Sequence, residues 1–223
     1  DLDMDDSDVL WVADLREGSA PEPMEDIMAQ LDQYPETNLD DTKSILAGDT
    51  GFYIFTSGTT GMPKAAKIGQ RRLLAAGMSF SKAGVRAKPA DRMYLCLPLF
   101  HGTGFVCGVN SAIFSGASMF LRRKFSASAF WPEVQKYQCT IFFYVGELCR
   151  YLVTQPPCPE EQNNPLDRVF GNGLRPDVWD EFKQRFGIDR VCEFYGSSEG
   201  NVSFINAFNK DRTIGYCPGT IIL

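Results

Sequence analysis

The sequence predicts an α/β protein in which largely parallel sheets are layered between flanking helices. Three observations predict it. Short apolar runs alternate with segments of helical period through most of the 223 residues, and alternation of this kind builds parallel pairing through crossover helices. Three of those runs lead into glycine-bearing loops, at 57–61, 171–173 and 196–200; in such sheets ligands collect beyond the carboxyl ends of strands. A content of 44% hydrophobic and 13% aromatic residues is ample for a buried core.

The elements follow in order. Val9-Leu10-Trp11-Val12 reads as a strand and residues 25–31 as a short helix, separated by Gly18 and two prolines. Tyr53-Ile54-Phe55 is a strand running into a loop of hydroxyls and glycines, and 65–68 resume a strand. Over 70–83, apolar residues at 73, 74, 78 and 80 predict a helix with one buried face and Arg71 and Arg72 opposite. Residues 93–97 are a continuous apolar run between Asp91 and Pro98, as expected of a strand covered on both sides. A small-residue helix at 104–114 and a strand at 117–121 come next. Ser128 serves as N-cap of a helix to Tyr137, with Pro132 near its first turn. A strand at 140–145, a helix at 147–153 and a proline- and asparagine-rich loop at 156–165 precede the brief strand of Val169 and Phe170. Pro176 opens a helix whose Val178, Phe182 and Phe186 share a face, and Gly187 stops it. Residues 191–195 form a further strand. No internal repeat is visible.

Charge and cysteines narrow the function classes. The net charge of -6 hides a split, because residues 1–50 hold 15 acidic and two basic side chains, leaving 13 acidic against 20 basic from 51 onward. A net basic body suits a polyanionic ligand, although charge balance alone favours a solvated surface behind an acidic lead-in. The seven cysteines form no Cys-x-x-Cys pair and sit mostly in apolar runs, which reads as small buried hydrophobes in a reducing, intracellular compartment. With one histidine, a zinc cluster is not expected. Residues 95–121 lack Lys, Arg, Asp and Glu, yet Pro98, His101, Asn110 and four glycines interrupt them, so strand, helix and strand are expected rather than a membrane span. Neither end carries a signal-peptide pattern or a finished boundary, and the chain is expected to begin and end inside a longer protein.

The loops supply the chemistry. Thr56-Ser57-Gly58-Thr59-Thr60-Gly61-Met62-Pro63-Lys64 combines glycines that let backbone N–H groups approach an anion, four hydroxyls and a compact cation, as a phosphate cradle requires. It is not the Walker pattern, since no Gly-Lys-Ser/Thr follows the second glycine. Glu199, beyond the strand ending at Tyr195, fits a magnesium ligand; taken alone it reads first as a solvated loop carboxylate. Tyr195 offers a ring to an adenine, and Gly171 and Gly173 offer close backbone approach to its edge; a core tyrosine and two turn glycines would look the same. His101 at a strand end lines a substrate path or is structural.

Residues 56–64 resemble the phosphate-loop signature of the adenylate-forming superfamily of acyl-CoA synthetases, luciferases and peptide-synthetase adenylation domains, and Tyr195-Gly196-Ser197-Ser198-Glu199 resembles its second signature. Ala65-Ala66, the stretch from Tyr144 to Leu152, the stretch from Gly171 to Trp179, and Glu193-Phe194-Tyr195 with Glu199-Gly200-Asn201 resemble the fatty acid transport protein and very-long-chain acyl-CoA synthetase family. The resemblance implies that 51–223 are the central AMP-binding portion of the large N-terminal domain of such an enzyme, with 1–50 an acidic lead-in to the same domain. It also implies that the ribose-binding aspartate and the small C-terminal domain with its catalytic lysine lie outside this chain, which by itself is then expected to be inactive. The implied activity is ATP-dependent conversion of a long- or very-long-chain fatty acid to acyl-adenylate and then, with coenzyme A, to acyl-CoA. By this carry-over Thr56, Ser57, Gly58, Thr59, Thr60, Gly61 and Lys64 hold the β and γ phosphates, with Thr56 and Glu199 on Mg2+. Ser198, in place of the usual threonine, faces the α-phosphate beside Gly196 and Ser197. Gly171, Asn172, Gly173 and Leu174 border adenine, Tyr195 stacks on it, and His101 stands near the acyl carboxylate, so that Lys64, His101, Ser198 and Glu199 are the catalytic candidates. The implied partners are fatty acid, ATP and CoA, without nucleic acid, and with membrane association through a segment not in this chain. Two rivals remain: an adenylating enzyme for another carboxylic acid, and a fatty acid carrier with a vestigial nucleotide site.

Overall fold

The computed structural model describes residues 10–12, 20–56, 62–198, 200 and 203–217. The chain divides into two compact units, residues 1–45 and 46–223. In the first, β1 (Leu10–Val12) pairs in parallel with β2 (Met24–Asp26), and short 3-10 turns follow at Leu31–Gln33 and Asp40–Lys43. The helix expected over 25–31 is therefore absent. Pairing with β1 holds Met24–Asp26 extended, and the remaining residues are too few and too exposed to sustain a helix by themselves.

In the second unit, β3 (Thr50–Thr56) and β4 (Lys64–Gly69) form an antiparallel hairpin, separate from a six-stranded sheet. That sheet contains β5 (Arg92–Leu95), β6 (Ser118–Leu121), β7 (Ile141–Val145), β8 (Arg168–Asn172), β9 (Arg190–Tyr195) and β10 (Phe204–Ile205). Its order is β10-β9-β8-β7-β5-β6, and every pairing is parallel except that of β10 with β9. Helices α1 (Gln70–Met78), α2 (Asn110–Ser115), α3 (Ala127–Tyr137), α4 (Gly146–Thr154) and α5 (Pro176–Phe186) complete the layers.

Both faces of the sheet are covered, which explains why its strands read as unbroken apolar runs. Alternate residues supply two cores. Tyr94, Phe142, Tyr144, Val169 and Val191 pack with Phe130, Trp131, Leu152, Trp179 and Phe182 of α3, α4 and α5. Met93, Leu95, Ile141, Phe143, Phe170 and Cys192 face the other way, toward Phe80, Val85, Cys107 and Ala112. The segment from 95 to 121 is the expected strand, helix and strand, with a π-helical turn at Thr103–Val109 leading into α2. Among the described residues no helix is long and apolar enough to cross a membrane.

Several local expectations need correction. The helix from Gln70 keeps α geometry only to Met78 and continues as a π-helical turn over Ser79–Gly84. Leu74 and Met78 are exposed, while Gly77, Phe80 and Ser81 are buried. The cause is close packing on α2: a Cβ at Gly77 would stand 2.6 Å from Phe114. The helix α3 is preceded by Ser126 rather than capped by Ser128, and Pro132 lies well inside it. By contrast α5 runs from Pro176 to Phe186, buries Val178, Phe182 and Phe186, and ends on Gly187 at φ 67°. Five cysteines are buried thiols, and burial pushes Cys96, Cys139 and Cys192 up to about 12.

The edge of the sheet where β5, β7 and β8 begin is fastened by Asp91 and Arg168, joined at 2.6 and 3.0 Å. Asp91 also accepts from the Thr140 hydroxyl at 2.8 Å and the Lys88 amide at 2.7 Å. Burial alone would raise the Asp91 carboxyl, but these donors, Arg168 foremost, outweigh it and hold its pKa below the usual carboxylate value. A carboxylate depressed on folding adds stability above about pH 4, and that stability is lost as acid protonates it. Asp91→Asn should therefore cost about 3 kcal/mol at pH 7 and flatten the decline of stability below about pH 4. Denaturant titrations across pH check this; an unchanged midpoint at pH 7 would contradict it.

Candidate active site

A cleft of about 460 Å3 opens where β8 and β9 end, between the sheet, the hairpin, α1 and the turn at Thr103–Val109. Its lining includes the polar Arg72, His101, Thr103, Asn172, Ser197 and Ser198 and the apolar Ile68, Ala76, Phe80, Val106, Cys107 and Phe194. A separate aromatic groove of about 720 Å3, lined by Phe52, Phe55, Leu73, Phe100 and Phe105, lies beside the hairpin.

Strand periodicity decides which residues reach the cleft. Asn172 shares the parity of Phe170, which faces the α1 layer, and its Oδ1 is buried with no hydrogen-bond partner. Such an orphan acceptor is uncommon and fits a ligand's N–H group. Gly171 points the opposite way, where a Cβ would stand 2.2 Å from the Tyr144 carbonyl oxygen. Its missing side chain thus makes room for β7. Gly173 takes φ 82°, a conformation that glycine adopts without strain, and Leu174 is buried in the core on the α5 side. Gly171, Gly173 and Leu174 do not line the cleft.

His101 is exposed at the cleft wall. Its Nδ1 accepts the Thr103 amide at 3.2 Å, which leaves Nε2 as the N–H donor of the neutral ring. Gly196, Ser197 and Ser198 follow β9, and the Gly200 amide donates to the Ser197 hydroxyl at 2.9 Å. Tyr195 is 62% exposed and stands outside the cleft lining, its ring 6.4 Å from that of Phe204. Thr56 and Lys64 are the last pair of the hairpin ladder, and the Thr56 hydroxyl donates to the Lys64 carbonyl at 3.3 Å. The hairpin thereby delivers both ends of the 56–64 loop to one place, while Ile54 and Ile68 form part of the cleft wall. Ser57, Gly58, Thr59, Thr60, Gly61 and Glu199 lie outside the described residues. Among the described residues no group of three His, Cys, Asp or Glu could hold a metal ion.

Two polar residues at this end of the sheet escape sequence reasoning. Arg72, expected on a solvated helix face, donates its Nη2 to the carbonyls of Ser197 and Gly200 and so fastens α1 to the loop after β9. Helical period alone could not find it, because the exposed Leu74 and Met78 mimic a buried stripe. Glu193 is 4% exposed and accepts from the Tyr144 hydroxyl at 2.5 Å, the Gly173 amide at 3.0 Å and the Leu174 amide at 2.9 Å. Burial pushes its carboxyl up, against the opposing pull of those three donors. One sequence signal exists: a carboxylate inside an otherwise apolar strand needs partners.

The profile of the AMP-binding enzyme family matches residues 3–222, and this chain belongs to that family. A medium/long-chain-fatty-acid–CoA ligase of Mycobacterium tuberculosis, FadD6, is 48% identical over 195 residues, covering 87% of this chain and 33% of the relative. Mouse long-chain fatty acid transport protein 1 is 42% identical over 186 residues, covering 83% of this chain and 29% of the relative. This chain therefore spans about a third of the length of the relatives it matches. Among solved structures, ATP-bound MatB from Rhodopseudomonas palustris aligns with TM-score 0.69 and 25% identity over 78% of this chain and 35% of its own. A benzoate CoA ligase from Burkholderia xenovorans, at TM-score 0.73 and 18% identity over 90% of this chain and 41% of its own, shares the fold.

Glu193→Ala would leave the buried Leu174 amide and Tyr144 hydroxyl without an acceptor, at about 1–3 kcal/mol each, and would release the part-buried Gly173 amide. Chemical denaturation should register a loss on the order of 3 kcal/mol or more, and hydrogen exchange at the Gly173 and Leu174 amides should quicken. Unaltered exchange at both amides would contradict the role given to Glu193.

Proposed function

We propose that this chain carries the nucleotide- and carboxylate-binding part of an AMP-forming fatty acid–CoA ligase. The observation that supports it most is the cleft itself, whose single lining brings donor-rich polar side chains together with apolar ones. The Ser197 and Ser198 hydroxyls and Arg72 suit phosphate oxygens, and the unpartnered Asn172 Oδ1 suits the exocyclic amine of adenine. His101, with Nδ1 engaged, has Nε2–H to donate to an acyl carboxylate. The apolar side chains suit an alkyl chain.

In the proposed reaction a fatty carboxylate attacks the α-phosphorus of ATP to give acyl-adenylate and pyrophosphate, and the thiol of coenzyme A then displaces AMP. The charge that develops on phosphorus needs donors already in position; Ser198 and His101 are our candidates there. Residues 56–64, closed by Lys64, would hold the β and γ phosphates, and Tyr195 offers an exposed ring to the adenine. The Thr56 hydroxyl and Glu199 carboxylate are hard oxygen donors of the kind that Mg2+ takes. Bound with ATP, Mg2+ would neutralise phosphate charge. Likeness to FadD6 and to transport protein 1 favours a fatty acid over an aryl or amino acid, and likeness to the latter links activation with fatty acid uptake.

Fatty-acid-dependent exchange of pyrophosphate into ATP by the full-length protein tests this. Glu199→Gln should lower exchange about a hundredfold or more, as loss of transition-state charge stabilisation does, while ATP binding falls far less. Unchanged exchange would remove Glu199 from the reaction.

A further inference from the structure

We infer that Phe80 is the stop that sets the length of acyl chain the cleft accepts, an assignment that rests on the fatty acid reading above. The cleft runs along one face of α1 and its π-helical extension, where Arg72, Ala76, Ser79 and Phe80 recur at helical spacing. Arg72 marks the phosphate end, since it binds the carbonyls of the loop after β9. Phe80 lies eight residues further, about 12 Å along the helix. Between them the wall is made of small side chains, and Val106 and Cys107 face it from the turn at Thr103–Val109.

Phe80 ends this wall with a ring that cannot swing aside. It is 8% exposed, its centroid is 5.0 Å from that of Phe170 and 5.8 Å from that of Phe194, and those two rings are themselves stacked at 5.0 Å. Behind Phe170, Gly84 leaves little slack, for a Cβ there would stand 3.1 Å from the Phe170 ring. A chain entering from the carboxylate end therefore gains apolar contact past Ala76 and meets a fixed aromatic face. Phe80 acts as a specificity residue and makes no contact with the reacting atoms.

The test measures displacement of a fluorescent polyene fatty acid from the full-length protein by saturated acids of increasing length, without ATP. Affinity should rise about fourfold per added methylene and then level off at the length that reaches Phe80. Phe80→Ala should move that plateau to longer chains, and Ala76→Phe, which fills the half-exposed middle of the wall, should move it to shorter ones. If Phe80→Ala does not fold, the Ala76→Phe shift decides. Plateaus at the same length in wild type and folded variants would overturn the assignment of Phe80 while leaving the fatty acid reading in place. Wild-type affinity that ignores chain length would overturn both.

Discussion

The structure at the carboxyl end of the sheet depends on one buried carboxylate. Glu193, on β9, holds the hydroxyl of Tyr144 on β7 and the amides of Gly173 and Leu174 beyond β8, so three neighbouring strands share one set of hydrogen bonds. A carboxylate buried this deeply is tolerated only when such donors replace its water. The close fit extends to the backbone, because a Cβ on Gly146 would stand 1.7 Å from the Gly173 carbonyl oxygen. The turn after β8 is therefore pinned from below by α4 and from the side by β9, and Asn172, one residue earlier, is presented to the opposite face.

That division of faces organises the molecule. One parity of β5, β7, β8 and β9 closes against α3, α4 and α5 and supplies rigidity. The other parity closes against Phe80 and Cys107 deep in the layer and opens at its end into the cleft. The candidate site and the stability of the sheet are thus carried by alternate residues of the same strands. Asp91 and Arg168 secure the opposite end of the sheet, far along the strands from the loops that bear the candidate chemistry.

Much of this was legible in the sequence because it follows from local pattern. Continuous apolar runs identified the parallel strands, and Pro176, Phe182 and Gly187 bounded and oriented α5 correctly. His101, Asn172, Gly196, Ser197 and Ser198 were expected at one site and do line one cleft. What escaped depended on contacts remote in sequence. Arg72 works only because the loop at 197–200 comes within its reach, and the orientation of α1 is set by Gly77 against Phe114 rather than by its own leucines. The region 25–31 read as helix because its pattern permits one, whereas pairing with β1 makes part of it a strand. Gly171 was read as a place for a base to approach, yet its missing side chain accommodates Tyr144.

The most direct test of the central claim, that one cleft joins a nucleotide end to an acyl limb, is a crystal structure of the full-length protein with an acyl-sulfamoyl-adenosine mimic of the acyl-adenylate. The adenine amine should lie on Asn172 Oδ1, the sulfamoyl group beside Ser198, and the acyl tail along Ala76. A mimic seated instead in the aromatic groove at Phe52 and Phe105, with the cleft vacant, would contradict it.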